Sequence, residues 1–204
     1  ESFRIVDKAP SQTFPERVAL VDILNADRLA QALTGETIFH LAAEHRDDVQ
    51  PADLYTRVNI EGTRNLCRAA TLRGINRIIF TSSVAVYGFA EAATDETGAI
   101  NPFNAYGRSK RAAEEALSQL SKSSGNPVAI YRLPGVFGKW CKPNYNSVVA
   151  TFCHNIARNL PIQISDPTAT LRLTYVDDVV SALLLALESP KAGCVQALVE
   201  PDYS

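Results

Sequence analysis

Tyr106 and Lys110 stand four residues apart in the segment 101–110 (NPFNAYGRSK), where the apolar-periodic stretch Arg108 to Leu120 begins. On a helix both side chains project from one face, a turn apart. A free phenol titrates near pH ~10, so acid/base work near neutrality needs a shift of about three units, worth roughly 4 kcal/mol. A neighbouring ammonium in a partly desolvated site supplies much of that shift. Upstream, in the segment 81–88 (TSSVAVYG), Ser83 ends an apolar strand that starts at Arg77. Its hydroxyl can hydrogen-bond the substrate oxygen that Tyr106 protonates or deprotonates. A Tyr four residues before a Lys also occurs on solvated helices. Its combination with the Ser83 strand, Tyr87-Gly88 and the Asn101-Pro102 lead-in singles this pair out as catalytic.

These groups need a sheet to bring them together. Residues 3–6 (FRIV) form a short apolar strand closed by Asp7, and 18–21 (VALV) repeats the pattern before Asp22 and Ile23. Residues 25–33 suit a helix capped by Asn25, and 37–43 (TIFHLAA) is a strand entering the turn Leu41, Ala42 and Ala43. Small residues there let a dinucleotide lie against the backbone. His40, inside that strand, reads as a satisfied core histidine. Glu44, His45 and Arg46 follow the strand's carboxyl end, the edge where open α/β sheets bind ligands, so His45 is a candidate to face substrate. Residues 51–70 read as one long helix, and Asn59, polar amid apolar neighbours, is expected to be a buried amide tying it to the active-site strand. Strands are expected at 128–133, 162–164, 171–175 and 194–199, with a helix after 147 running through Asn159 and another over 177–188.

With 204 residues, 46% of them hydrophobic, and a net charge of -2, the chain can bury one good core or slightly more. It has no Lys/Arg cluster to suit nucleic acid, and no apolar run of membrane-spanning length. The longest apolar run, 182–187, is expected to be a buried helix segment. Four cysteines (Cys67, Cys141, Cys153, Cys194) without a CxxC pair point to reduced thiols in a cytoplasm. Cys153 and His154 near Cys141 raise a metal site, but adjacent helical residues point different ways, and no metal is expected. The chain has no Met and opens on ESFRIVD, which reads as the interior of a domain. A glycine-bearing segment is therefore expected upstream in the natural protein.

On the residues 81–88, 101–110 and 58–63 (VNIEGT), the chain resembles the extended short-chain dehydrogenases/reductases of the nucleotide-sugar epimerase/dehydratase family. The segment 139–147 (KWCKPNYNS) resembles that of the bacterial capsule and O-antigen UDP-sugar 4-reductases. The resemblance implies an α/β Rossmann fold, a parallel sheet with helices on both faces. It divides the chain into an NAD-binding domain over 1–135, lacking its first strand and glycine-rich turn, and a small partial substrate-binding region over 136–204. Residues 171–188 are expected to return to the Rossmann core, and an end at Ser204 is early for this family.

For the cofactor, the resemblance implies NAD, touched by Asp7, Asp22, Ile23, Leu41, Ala42, Ala43, Asn59, Thr81, Ser82, Tyr106, Lys110 and Leu133. A carboxylate at Asp7 accepts ribose hydroxyls and repels a 2'-phosphate, which disfavours NADP; the bland alternative is a turn residue before Pro10. For the UDP-sugar substrate it implies Ser83, His45, Asn146, Ser147 and Arg172, and for assembly a homodimer through the helices bearing Asn59 and Tyr106. Arg172 lies one residue nearer Val176 than the usual pattern, and Gly135 stands where those reductases and many epimerases carry Asn. The 4,6-dehydratases of the family carry Asp and Glu where this chain has Val84 and Ala85, so elimination of water is disfavoured. A C4 epimerase acting on a UDP-hexose for surface polysaccharide is the leading expectation. An NAD(P)H-dependent reductase of UDP-4-keto-6-deoxy-sugars follows, and a non-catalytic Rossmann sensor or interaction module comes last.

Overall fold

In the computed structural model, which describes residues 2–46, 49–51, 53–88, 94–168, 170–188 and 194–197, every strand pair is parallel. Strand β1 (Ile5–Asp7) pairs with β2 (Val18–Leu20). The strands β3 (Thr37–His40), β4 (Arg77–Ser83), β5 (Val128–Leu133) and β8 (Cys194–Ala197) form one sheet in that order, and β6 (Gly135–Phe137) pairs with β7 (Leu173–Tyr175). The α-helices are α1 (Ala26–Ala32), α2 (Gly62–Arg73), α3 (Ala105–Ser124), α4 (Val148–Ile156) and α5 (Val176–Glu188). Parallel neighbours need crossovers long enough to return the chain, and α2 and α3 make those of the four-stranded sheet from β3 to β4 and from β4 to β5.

Strand β4 is covered on both faces, with Ile78, Ile79 and Phe80 all buried, as a central parallel strand should be. In β3 only Ile38 and His40 are buried while Phe39 is 38% exposed, so this strand is covered on one face. Leu29, Leu66, Ala70, Ile75, Ala113, Leu117, Val128 and Ile130 join Ile78 and Phe80 in one core beneath α1, α2 and α3. The cap expected at Asn25 forms, its side chain accepting from the Arg28 amide at α1, and α2 stops at Gly74, whose φ of 64° suits glycine.

Several expected elements change. The helix expected over 51–70 is a π-helical segment, Tyr55–Glu61, that gives way to α2 and ends at Arg73. The wider turn falls where the Tyr55 hydroxyl bonds the Arg46 carbonyl and the Asn59 amide bonds Glu44, both in the loop after β3. Residues 162–164 form no strand, and Ile162 and Ile164 are exposed. The run 182–187 is not buried: Leu184 and Leu185 are 51% and 61% exposed. Helix α5 is instead held to the sheet through its carbonyls, Ala182 accepting from the Tyr131 hydroxyl at 3.1 Å and Leu187 from the Arg77 guanidinium at 2.7 Å. Residues 194–197 pair with β5 in the central sheet rather than building the substrate side; 198 and 199 lie outside the described residues.

Candidate active site

Strand β4 delivers Ser83 to its carboxyl end, in register with Leu133 of β5. The chain then turns through a single 3₁₀ turn, Val84–Val86, in which the Ser83 hydroxyl accepts from the Ala85 amide at 3.2 Å. Two contacts seat the start of α3 on that turn. The Asn101 amide donates to the Val86 carbonyl at 3.0 Å, and Gly107 packs so closely that a Cβ there would strike the Ala85 carbonyl oxygen. The Asn104 side chain accepts from the Gly107 amide at 2.7 Å and caps the helix, fixing the turn that carries Tyr106. Serine turn and tyrosine turn are thus joined by backbone contact, and glycine at 107 permits it. Tyr106 is half-buried, its ring centroid 6.2 Å from that of Tyr55.

Lys110 lies one turn further along α3 and is only 3% exposed. Its ammonium donates to the Thr81 carbonyl at 2.6 Å and sits 4.3 Å from the centre of the Phe80 ring. Burial pushes the Lys110 pKa down to about 7, with the nearby Glu114 carboxylate opposing the fall. A lysine in this range exchanges its charge at neutral pH. While charged, it favours the phenolate of a neighbouring tyrosine, as an acid/base at a sugar oxygen requires.

The other candidates divide by strand geometry. Side chains alternate along β4, so Thr81 and Ser83 remain partly open while Ser82 is buried and donates to Glu114 at 2.6 Å. Ser82 is therefore a core contact, not the cofactor contact expected of it. Asn59 is corrected in the same way. It is buried, accepts from the Glu44 amide at 2.7 Å, and donates to the Glu44 carbonyl at 2.9 Å and to the Ser109 hydroxyl at 2.8 Å. With its amide engaged on three sides and its side chain buried, it ties the loop after β3 to the catalytic helix, not to the active-site strand. His40 is a core residue as expected, but only half satisfied. Its Nε2 bonds Thr63 at 2.8 Å, its Nδ1 has no partner among the described residues, and burial followed by the Lys110 charge lowers its pKa to about 3.

At the carboxyl ends of β1 and β2, Asp7 accepts from the Ala9 amide at 2.8 Å and Asp22 from the Leu24 amide at 2.9 Å. Each turns its chain with one carboxylate oxygen and stays exposed, so the turn role does not preclude a ligand. Ile23 lies against Gly62, where an added Cβ would crowd it. Leu41 and Ala42 are exposed and Ala43 half-buried. Open carboxylates, a small-residue turn and the Thr81–Lys110 contact fit the adenosine and nicotinamide ends of a dinucleotide.

On the substrate side, the exposed His45 ring packs edge-on to Tyr145 at 5.5 Å, bringing the loop after β3 to the segment 139–147. Ser147 caps α4 by accepting from the Ala150 amide at 3.3 Å, beside the exposed Asn146. Arg172 lies just before β7 rather than within it. Gly135 has a packing reason: a Cβ there would meet Leu173 of β7 at 2.9 Å. Phe137, Lys139, Cys141, Val149, Cys153 and His154 line a cleft of about 500 Å³. Cys141 and Cys153 thus share a cleft with His154, yet among the described residues no three His, Cys, Asp or Glu side chains gather to hold a metal.

Sequence reasoning passed over the polar cluster beneath this site, Glu114 with Arg132 and the hydroxyl of Tyr87. The signals were present: Glu114 falls four residues after Lys110 on the buried face of α3, and Arg132 occupies an inward position of β5 beside Val128 and Ile130.

Comparison with known proteins agrees with this fold. A model of the NAD dependent epimerase/dehydratase family matches residues 3–198. A UDP-2-acetamido-2,6-beta-L-arabino-hexul-4-ose reductase of Pseudomonas aeruginosa is 44% identical over 81% of this chain and 41% of its own length. An N-acetyl-alpha-D-glucosaminyl-diphospho-ditrans,octacis-undecaprenol 4-epimerase of Escherichia coli O157:H7 is 37% identical over 92% of this chain and 56% of its own length. The chain therefore spans about half the length of these relatives. The solved structure of MoeE5 in complex with UDP-glucose and NAD superposes with a TM-score of 0.86 at 28% identity, covering 98% of this chain and 68% of that one. With a family model spanning nearly all of it and a serine, tyrosine and lysine gathered at the sheet's carboxyl edge, the chain belongs to the NAD-dependent epimerase/dehydratase family.

Proposed function

We propose that this chain carries the catalytic centre of an NAD-dependent nucleotide-sugar epimerase acting at C4 of a UDP-hexose, in the synthesis of surface-polysaccharide precursors. The observation that carries the reading is Lys110, a buried ammonium held on the Thr81 carbonyl one helical turn from Tyr106 and next to the strand end bearing Ser83. Tyr106 takes the proton from the sugar O4 and returns it, Ser83 hydrogen-bonds the same oxygen, and Lys110 holds the phenol's acidity near the working pH. NAD, when bound, would supply the hydride acceptor and donor for C4. Asp7, Asp22, Ile23, Leu41, Ala42, Ala43, Thr81, Lys110 and Leu133 would hold it, and His45, Asn146, Ser147 and Arg172 would face the UDP-sugar. The same reading has the protein as a cytoplasmic homodimer pairing through the helices that bear Asn59 and Tyr106.

A second reading, an NAD(P)H-dependent reductase of UDP-4-keto-6-deoxy-sugars, is favoured by the 44% identity to the Pseudomonas reductase. Both readings use Ser83, Tyr106 and Lys110 identically. Offering the full-length protein a panel of UDP-hexoses and 4-keto-6-deoxy derivatives, while following nicotinamide absorbance and product stereochemistry, separates them. Interconversion of C4 epimers without net loss of reduced cofactor supports the epimerase. Stoichiometric NAD(P)H consumption on a 4-keto sugar supports the reductase, and inertness toward the whole panel refutes both.

A further inference from the structure

Beneath the catalytic residues lies a closed polar cluster that the reaction as described does not use. Arg132 is 1% exposed and grips Glu114, itself fully buried, with two parallel bonds of 2.9 and 2.8 Å. The third arm of the guanidinium donates to the Tyr87 hydroxyl at 2.8 Å, and the Ser82 hydroxyl donates to Glu114 at 2.6 Å. At the cluster's edge Arg111 reaches Glu114 at 3.4 Å. The cluster therefore fastens together β4, the turn after Ser83, α3 and β5, all of the elements that present Ser83, Tyr106 and Lys110. A buried ion pair often stabilises a fold less than apolar residues of the same shape would, so stability is a weak reason for its presence. Its placement gives a stronger one. Tyr106, Lys110 and Glu114 follow one another at four-residue intervals on α3, so the carboxylate stands a turn below the ammonium as the ammonium stands a turn below the phenol.

We propose that Glu114, locked in place by Arg132, is a positioning residue of the active site whose negative charge keeps the buried Lys110 an ammonium for its work on Tyr106. This rests on the catalytic reading of Tyr106 and Lys110. Among the described residues, the groups around Lys110 leave Glu114 as the source. Strand β4 offers the neutral Phe80 ring and Thr81 carbonyl, and β3 offers His40, which stays uncharged down to about pH 3. On α3 stand Tyr106 and Glu114, and behind Glu114 lie Arg132 of β5, the neutral hydroxyls of Ser82 and Tyr87, and Arg111. Glu114 is the acid among them, and it draws the Lys110 pKa up against the burial that pushes it down. Arg132 holds the carboxylate at one fixed point, which a loosely held glutamate would not keep.

The test reads Lys110 directly, by titrating its side-chain NMR signal in full-length protein, with Lys110→Met assigning the peak. In Glu114→Gln the midpoint should fall by about one pH unit, the effect of losing one opposite charge nearby. Because that variant leaves Arg132 buried without a partner and can fail to fold, Glu114→Gln/Arg132→Met removes both charges together. Its midpoint should fall in the same direction by less, with kcat reduced and the KM for sugar little changed. A midpoint that stays in place in the folded double variant overturns the proposal, and so does a midpoint that falls while kcat does not. Turnover by the parent protein and its loss in Tyr106→Phe check the underlying catalytic reading separately.

Discussion

The two sides of the candidate site are built differently. On the catalytic side, Lys110, Ser109, Asn59, Glu114 and Arg132 are all buried and bonded to one another or to backbone, so each side chain has one position. On the substrate side, α4 has no fully buried residue, Trp140 is 97% exposed, and the pairing of Lys139 with Asp177 is an exposed ion pair. Chemistry common to many sugars needs a fixed proton donor and a fixed charge, and rigid burial provides both. On the proposed function, recognition of one sugar is left to surfaces whose residues can change without disturbing that centre.

The predictions test this division, beginning with the catalytic side. Tyr106→Phe should lower kcat by about 10³-fold while NAD still binds, measured by turnover and cofactor titration; unchanged turnover would remove the tyrosine from the mechanism. Burial of Lys110 should also be visible without substrate. Its pKa is about 7 in the folded protein against 10.5 for a free lysine, so between those values the unfolded chain binds more protons and stability rises with pH. Denaturation of the parent protein across that window should show the rise, and Lys110→Met should flatten it. His40, at about 3 when folded against 6.5 when free, adds an acid-side loss of stability as pH falls from 6.5 towards 3.

Asn59→Ala should cost about 2–3 kcal/mol in urea denaturation by unpairing buried groups of Glu44 and Ser109, and should lower kcat as α3 loosens. A stability loss with kcat intact would separate Asn59 from the active site. The smallest effect belongs to the substrate side. Ser147→Ala removes the cap of α4 and should cost about 1 kcal/mol or less, raising the KM for sugar and leaving kcat alone. A kcat effect as large as that of Asn59 would erase the distinction between the two sides.

The catalytic half was legible in sequence because its signals are local. A Tyr–Lys spacing of four and a strand ending in Ser83 each depend on neighbours in the chain. What stayed hidden depends on contacts across it. Ser82 looked like its neighbours in TSSV, and only pairing with Glu114, 32 residues away, turns it inward. Asn59 was expected to be buried, but not that Glu44 and Ser109 would hold its amide. The exposed face of α5 was misread for a related reason. A run of apolar residues says that burial is favourable, not that a covering element exists, and α5 is secured through its carbonyls instead.

The central claim, redox chemistry at C4 with Tyr106 moving the proton, is tested most directly by following a deuterium placed at C4 of a UDP-hexose through turnover by the full-length protein. The account predicts a product inverted at C4 that retains the deuterium, and no inversion in Tyr106→Phe. Inversion with loss of the label to solvent, or inversion that proceeds unchanged in Tyr106→Phe, would contradict it.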